Sequence, residues 1–303
     1  MFIFEEINLA PFLLEFGARY DHQTYDAAVA DRNFDAFSAS SGIVYKPTDE
    51  YAVSFSVAYS QRPPTYVELF ADGLHIATNT FEQGDLNLGK ESSTSIDLSV
   101  RKKSGRVTGS AGIFYYRFQD FISLQDTGAP SGEVDDGGNP FNVFRFQADA
   151  ADFVGGEAEV NFHLLEPVSA SEGEAGSSDR LDLILRADYV RAENLDENES
   201  LPRTPPFRSS LAVDYQRENF GARLEGKWVA DQNRTAQGES STDGYFLVDA
   251  GVSYDLKLGN VTTTLSLKGV NLFDEEARQH TSFLKDVSTL SGRGVILGLR
   301  SVF

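Results

Sequence analysis

The chain closes on Gly294-Val-Ile-Leu-Gly-Leu-Arg-Ser-Val-Phe303, and this stretch decides the fold. Val295, Leu297, Leu299, Ser301 and Phe303 make one alternating set, while Gly294, Gly298 and Arg300 fall in the other. A period of two therefore separates a largely apolar face from a mixed one, as in a β-strand between two different environments.

The same alternation recurs upstream. Phe12, Leu14, Phe16, Ala18 and Tyr20 interleave with Glu15, Gly17, Arg19 and Asp21; Ile96, Leu98 and Val100 oppose Asp97, Ser99 and Arg101. Phe220, Ala222, Leu224, Gly226 and Trp228 alternate with Arg223, Glu225 and Lys227. Were the apolar set to face lipid, a one-residue slip would expose two cations and a carboxylate to it, each cation costing about 2–4 kcal/mol at the midplane, so the register is strongly specified. Strands of this kind need only about 9–11 residues to cross a bilayer and are polar on one side, so they escape a hydropathy search. No run approaches the roughly 20 apolar residues of a spanning helix.

Links between strands alternate in length. Short ones fall near 8–11, 47–50, 102–106, 217–219 and 257–260, and long ones at 22–33, 61–90, 126–141, 194–205, 231–243 and 274–292. Bacterial barrels keep short turns on the periplasmic side and long loops outside, which orients the meander. The Ser/Gly/Glu-rich segment 166–179 is an exception on the short-turn side. The expected fold is all-β: an antiparallel transmembrane β-barrel meander of about thirteen strands, probing an odd number where bacterial barrels use even ones. The reading is an incomplete barrel with earlier strands and a signal peptide upstream of Met1; a miscounted strand is the alternative. A water-soluble two-sheet sandwich also satisfies alternation, but long loops and the terminal aromatic favour the barrel.

Composition narrows the function. A net charge of −20 with 26 basic and 46 acidic residues excludes a phosphate-binding surface, so nucleic acid is not an expected partner. No cysteine is present, which removes disulfides and thiolate metal sites. No nucleophile elbow, phosphate loop or His-Glu-x-x-His pair occurs, and the expectation is a protein that is not an enzyme and carries no resident cofactor.

Several segments resemble the β-barrels of TonB-dependent outer-membrane receptors. They are Arg62-Pro-Pro-Thr-Tyr-Val-Glu-Leu-Phe-Ala-Asp-Gly-Leu-His75 continuing to Glu91, Phe144 to Ala150, Gly155 to Glu159, Leu201-Pro-Arg-Thr-Pro-Pro-Phe-Arg208, and Asn271 to Asp286 with the closing strand. The resemblance covers nearly all of residues 1–303. It implies the C-terminal part of a 22-stranded barrel in the bacterial outer membrane, without the plug domain, the early strands and the TonB-contacting segment. The implied role is TonB-dependent uptake of a scarce nutrient, a metal ion or metal chelate favoured. Implied partners are outer-membrane lipid, the barrel-assembly machinery through the strand ending at Phe303, TonB through the plug, and the small ligand. The run His280-Thr-Ser-Phe-Leu-Lys-Asp286 resembles a zinc or metal-uptake subgroup. A passive pore or structural surface barrel is the alternative. Two departures from the family pattern stand out: Ser301 on the apolar set, and Leu86 where proline is usual, which implies a less rigid turn.

Candidate site residues are few. The topology sets His22, His75 and His280 near the outer rim, where they are metal-ligand candidates, and His163 near the other end; ordinary loop contacts are the competing reading for each. Acidic clusters at Glu133, Asp135 and Asp136, and at Asp196, Glu197 and Glu199, are read as solvated loops, since Glu166, Glu172, Glu174 and Asp179 put similar acidity on the short-turn side. Arg19, Arg101, Arg186, Arg223, Glu225 and Lys227 face the lumen, either gripping a plug or lining a wet wall. Tyr20, Tyr59, Trp228 and Tyr254 suit interfacial girdles, and Gly155-Gly156 suggests a bulge or bend.

Overall fold

The computed structural model describes residues 1–76, 80–135, 137–167, 178–259 and 261–302. The expectations attached to Phe303, Asp136, Glu172 and Glu174 lie outside the described residues. Sixteen strands form one sheet: β1 (Phe2–Leu9), β2 (Phe12–Tyr25), β3 (Arg32–Tyr45), β4 (Tyr51–Arg62), β5 (Asp72–His75), β6 (Thr80–Gln83), β7 (Glu91–Lys102), β8 (Val107–Val134), β9 (Pro140–Leu165), β10 (Arg180–Asn194), β11 (Glu199–Ser200), β12 (Arg208–Arg217), β13 (Phe220–Val229), β14 (Tyr245–Leu258), β15 (Val261–Val270) and β16 (Gly294–Val302). One short helix, α1 (Tyr66–Phe70), interrupts the pattern.

Thirteen of the strands make the wall, in the order β1-β2-β3-β4-β7-β8-β9-β10-β12-β13-β14-β15-β16, each antiparallel to its neighbour. The other three, β5, β6 and β11, belong to the long links. Among the described residues, β1 and β16 are the two edges and do not pair with one another.

Alternation acts as the sequence suggests. Leu98, Leu224, Leu267 and Leu297 stand exposed on the apolar face, Leu297 at 80%. On the opposite face, carboxylates and basic side chains neutralise one another across neighbouring strands: Arg186 Nε donates to Glu159 at 2.6 Å, Arg208 lies 2.6 Å from Asp188, Arg223 3.0 Å from Asp214, and the Lys268 ammonium 3.1 Å from Asp249. A sheet apolar outside and charged inside has no core between layers; it inverts the soluble pattern, as a wet-lumened membrane barrel requires. Ser301 fits this frame after all, since its hydroxyl lies 2.9 Å from that of Thr263, its register partner on β15. Each hydroxyl thus finds a partner instead of facing hydrocarbon alone.

The apolar clusters sit under the long links. Phe34, Leu69, Leu88 and Ile122 pack together with Tyr25 and Phe70; Ala151, Ala192 and Leu201 pack with Phe118, Phe121 and Phe153; Val229, Tyr245 and Ala277 pack with Leu247 and Leu290. The loop-bearing rim is therefore a built layer, not a fringe.

Several expectations are corrected. Half of the stretch 22–33 is strand, with β2 reaching Tyr25 and β3 starting at Arg32, so His22 lies on the wall. The stretch 126–141 is the tip of a hairpin, because β8 runs 28 residues and β9 runs 26. At about 3.3 Å per residue β8 has a contour near 90 Å, roughly three times the hydrocarbon thickness, so the hairpin projects as an arm. Its turn-like residues, Gly128 and Pro130, are absorbed where the register shifts between Asp126 and Pro130 and again before Val134. Gly155 and Gly156 form no bulge, since both strand registers run straight through them. They are glycines because neighbours crowd in: a Cβ at Gly155 would meet Phe114 Cζ at 2.5 Å, and one at Gly156 would meet the Gly112 carbonyl oxygen at 2.9 Å. The turn at Leu86 is firmly tied, with Asp85 accepting from the Asn87 amide at 2.8 Å and the Asp85 amide donating to the Glu68 carbonyl at 2.9 Å.

Candidate functional site

The long links enclose two adjoining cavities at the rim. The larger, about 820 Å³, is walled by Phe121, Phe146, Phe153, Leu201 and Leu284, with His75, Glu82 and Arg203 among its polar members. The smaller, about 620 Å³, is acidic, bordered by Asp126, Glu197, Glu199, Glu239 and Asp286 against Arg203 and Lys285. Leu124, Pro202, Arg203 and Phe283 border both, so the two are lobes of one chamber.

One side of the chamber hangs on the link after β4. Thr65-Tyr-Val-Glu68 is a capping box: the Glu68 amide donates to Thr65 Oγ1 at 3.3 Å, and the Thr65 amide donates to Glu68 Oε2 at 2.7 Å. Arg62 then bridges Glu68 at 2.9 Å and Glu91 at 3.0 Å, while Glu91 accepts from the Ile122 amide on β8 at 3.0 Å. This network fixes α1 against β8, and the hairpin β5–β6 continues from it to pair β6 with β9 in parallel.

The other side is a buried clasp between the β13–β14 and β15–β16 links. Lys285 Nζ donates to Glu239 Oε1 at 3.0 Å and to the Ser240 carbonyl at 2.7 Å. His280 Nδ1 lies 3.0 Å from Thr242 Oγ1 and 3.4 Å from Lys285 Nζ. An ammonium can only donate, so Nδ1 is the acceptor and the proton of the neutral ring sits on Nε2. Nε2 stands 3.3 Å from Glu239 Oε1, within ion-pair range but off the line of a hydrogen bond. Burial, then the charge of Lys285, hold His280 below its ordinary pKa of 6.5, against the pull of Glu239 and Asp286. Burial works against ionised Glu239, but donors from the Arg203 amide, Lys285 and the Ala236 amide prevail and hold it below its ordinary 4.5. The Arg203 amide bond to Glu239, at 2.9 Å, brings the link before β12 into the same clasp.

The three histidine candidates are not gathered at one point. His22 Nδ1 lies 2.8 Å from Asp35 on the β2–β3 wall, His75 Nδ1 lies 3.4 Å from Glu82 at the larger lobe, and His280 is 2% exposed inside the clasp. Among the described residues, no group of three or more His, Cys, Asp or Glu side chains is placed to hold a metal ion. His163, at the far end, lies 2.7 Å from Asp182 and 2.9 Å from Thr108. The acidic clusters serve as local ties: Asp135 accepts amides from Gly137 and Asn139 at 2.9 and 2.8 Å, and Asp196 caps the Ala150 amide at 2.7 Å. Arg203, Phe283, Glu239 and Lys285 were not singled out by sequence reasoning. Three lie inside the quoted segments, but Glu239 sits in an ordinary polar loop with no local signal.

The fold, with its polar-lined sheet and loop-built chamber, can be set beside known proteins. A family profile described as TonB dependent receptor-like, β-barrel, matches residues 1–272. The chain belongs to the TonB-dependent receptor β-barrel family. It is thus an outer-membrane β-barrel protein, in which strands do the crossing. Among solved structures, the copper transporter OprC superposes with a TM-score of 0.78 at 17% identity, over 99% of this chain and 47% of that one. The FrpB iron transporter from Neisseria meningitidis gives 0.70 at 15%, over 99% and 44%, and the siderophore receptor PirA from Acinetobacter baumannii 0.65 at 16%, over 99% and 45%. At these identities the likeness is one of fold. The chain spans less than half the length of the solved receptors it matches.

Proposed function

We propose that this chain forms part of the wall and the outer mouth of a receptor that takes up a metal ion or a metal chelate across the outer membrane. The observation that carries this reading is the two-lobed chamber at the loop-bearing rim, held open by two separate ion-pair networks, one part-buried and one buried, above a charged, water-compatible wall. A passive pore has no need of loops tied down in this way. The names of the similar structures, which transport copper, iron or siderophores, agree with a metal-linked cargo and do not choose among those cargoes.

On this reading His75 with Glu82 is the histidine pair that meets cargo, because it borders the larger lobe, whereas His22 shares the face of Phe16 and Tyr20 on β2 and borders neither lobe. A zinc-specific role would rest on this pair. The exposed apolar face meets outer-membrane lipid, and β16 is the strand offered to the assembly machinery. Energy from TonB would arrive through a plug that these strands surround. The thirteen-strand wall is then one part of a barrel of 22, a reading supported by its two unpaired edges.

The test is calorimetric titration of the full receptor containing this chain with Cu²⁺, Zn²⁺, Fe³⁺ and a panel of ferric chelates, followed by uptake of the bound species in cells. Saturable binding of one class, with uptake abolished when the proton gradient is dissipated, is expected. Absence of binding together with a steady open conductance in planar bilayers would replace the reading with that of a passive pore.

A further inference from the structure

The lipid-facing surface carries large exposed side chains such as Phe55, Leu224 and Leu267, but it is dented at one place. Where β8, β9, β10 and β12 run side by side, Ala111, Ala158, Ala187 and Ser209 are successive register partners across the outward face. Two adjoining grooves result. One, of about 510 Å³, runs between Leu98 and Ile113 on one side and Tyr189 and Phe207 on the other. The second, of about 340 Å³, lies between Leu185 and Leu211 and the rings of Trp228 and Phe246. Ala158 and Ala187 line both. A dent in a wall that faces hydrocarbon forfeits dispersion contacts unless a chain lies in it. The grooves end at the loop-bearing edge of the apolar band: the outward set of β8 passes from Ile113 through Tyr115 to Arg117, and that of β10 from Ala187 through Tyr189 to Arg191. A third arginine comes from the β13–β14 link, for Arg234 leans over the lipid-facing Tyr189 ring with its guanidinium 5.4 Å from the centroid. Arg191 is matched, its Nε donating to Glu193 at 2.7 Å. Among the described residues, Arg117 and Arg234 have no carboxylate within 4.0 Å, although Asp152 on β9 is the register partner of Arg117.

We propose that this patch binds a lipid of the outer leaflet that carries two phosphates and several acyl chains on one headgroup, the chemistry of lipid A. The two grooves take neighbouring chains, and Arg117 and Arg234 take one phosphate each through the guanidinium fork. The strand bearing Arg117 and the strand over which Arg234 leans are two spacings apart, roughly 10 Å, which separates the two anion positions. Asp152 stands on the strand between them, and its charge repels a single phosphate settling midway. A lipid with one phosphate therefore fills only half of the site. The site lies on the outside of the wall, and Arg234 borders neither lobe of the chamber. The proposal thus rests on the membrane placement of the chain and not on its cargo.

The probes are bisphosphorylated lipid A, monophosphorylated lipid A and phosphatidylethanolamine, titrated against the full receptor after delipidation in detergent, with bound lipid counted by native mass spectrometry. The bisphosphorylated form is expected to bind the unaltered receptor about tenfold more tightly than either of the others. Arg117→Gln and Arg234→Gln should each bring it down to the level of the monophosphorylated form, because one fork then remains for two phosphates. Ala187→Phe, which fills the floor shared by the grooves, should weaken both forms of lipid A about tenfold. Heat-modified gel mobility reports whether each variant is folded, and the two arginine variants carry the test should Ala187→Phe misfold. The proposal is overturned by folded variants that hold bisphosphorylated lipid A as tightly as the unaltered receptor does. It is equally overturned by an unaltered receptor that takes phosphatidylethanolamine as tightly or holds no lipid. Either result leaves the uptake reading standing, and failure of the unaltered receptor to bind any metal ion or chelate leaves the lipid site standing.

Discussion

His280, Lys285 and Glu239 place two potential cations against one carboxylate in a space closed to water. That arrangement is stable only while the imidazole is neutral. His280 has its pKa lowered in the closed clasp, so opened loops bind a proton that closed loops refuse. The clasp's stability is therefore complete above the ordinary value of 6.5 and falls as the pH drops through the window below it. Glu239, also held low, adds stability present above 4.5 and lost as the pH falls through its depressed value. Amide hydrogen exchange, corrected for intrinsic rate, is expected to show weakening protection at Lys285 and Leu290 from pH 6.5 downward, with a second loss below 4.5. The variant His280→Gln should abolish the first step and keep the second; an unchanged first step would show that another group is responsible. Removing one member of the buried pair is the harsher change. Glu239→Gln strands the Lys285 ammonium at a cost of about 3–5 kcal/mol, read as loss of protection across the β13–β14 and β15–β16 links with the wall unaffected. Little of this was legible in the sequence. His280 and Lys285 are five apart in one loop, but Glu239 comes from another, and no spacing rule connects them.

At the scale of the strand, legibility depended on whether the face pattern survived. In β7 it does, and Leu98 is exposed on the apolar side while Ser99 pairs inward with Ser54 and Gly112 in the register. Leu98→Arg is expected to cost about 2–4 kcal/mol in urea unfolding from vesicles and Ser99→Arg close to nothing, because one side chain enters hydrocarbon and the other water. Equal costs would mean that the faces are misassigned. In the outer half of β8 the pattern is hidden by Thr127-Gly-Ala-Pro-Ser-Gly132, which has the chemistry of a loop and becomes strand only because β9 supplies a partner for it. The glycine pair misled for the opposite reason: it reads as a bulge locally, but the demand comes from neighbouring strands, from the Tyr189 and Gly112 carbonyls and the Phe114 ring. Gly155→Val should cost about 1–3 kcal/mol through overpacking and be partly rescued by Phe114→Ala, which a double-mutant cycle measures.

For the whole molecule, parity is the governing fact. Thirteen consecutive antiparallel strands leave β1 and β16 running in the same direction, so this wall cannot close on itself through the antiparallel pairing used everywhere else along it. The count was readable from the alternation of short and long links, because the period-2 pattern and the turn chemistry are local properties; the chamber was not, because it is made where five links meet. Both edges present unpaired amides and carbonyls beside exposed apolar side chains, with Phe2 at 79% and Val295 at 70%. Edges of this kind pair with whatever strand is available, and in hydrocarbon each unpaired backbone group costs several kcal/mol. Residues 1–303 refolded alone into detergent micelles are therefore expected to form heterogeneous oligomers joined through β1 and β16. Cysteines placed at Ile3 and Leu297, both on the apolar face, should cross-link between chains, with yield rising with protein concentration. The same residues within the full receptor should give a monodisperse, heat-modifiable monomer, since added strands then occupy both edges. A monodisperse monomer from residues 1–303, cross-linked within one chain between Ile3→Cys and Leu297→Cys, would show that the sheet closes through a parallel seam and that these strands form a barrel of their own.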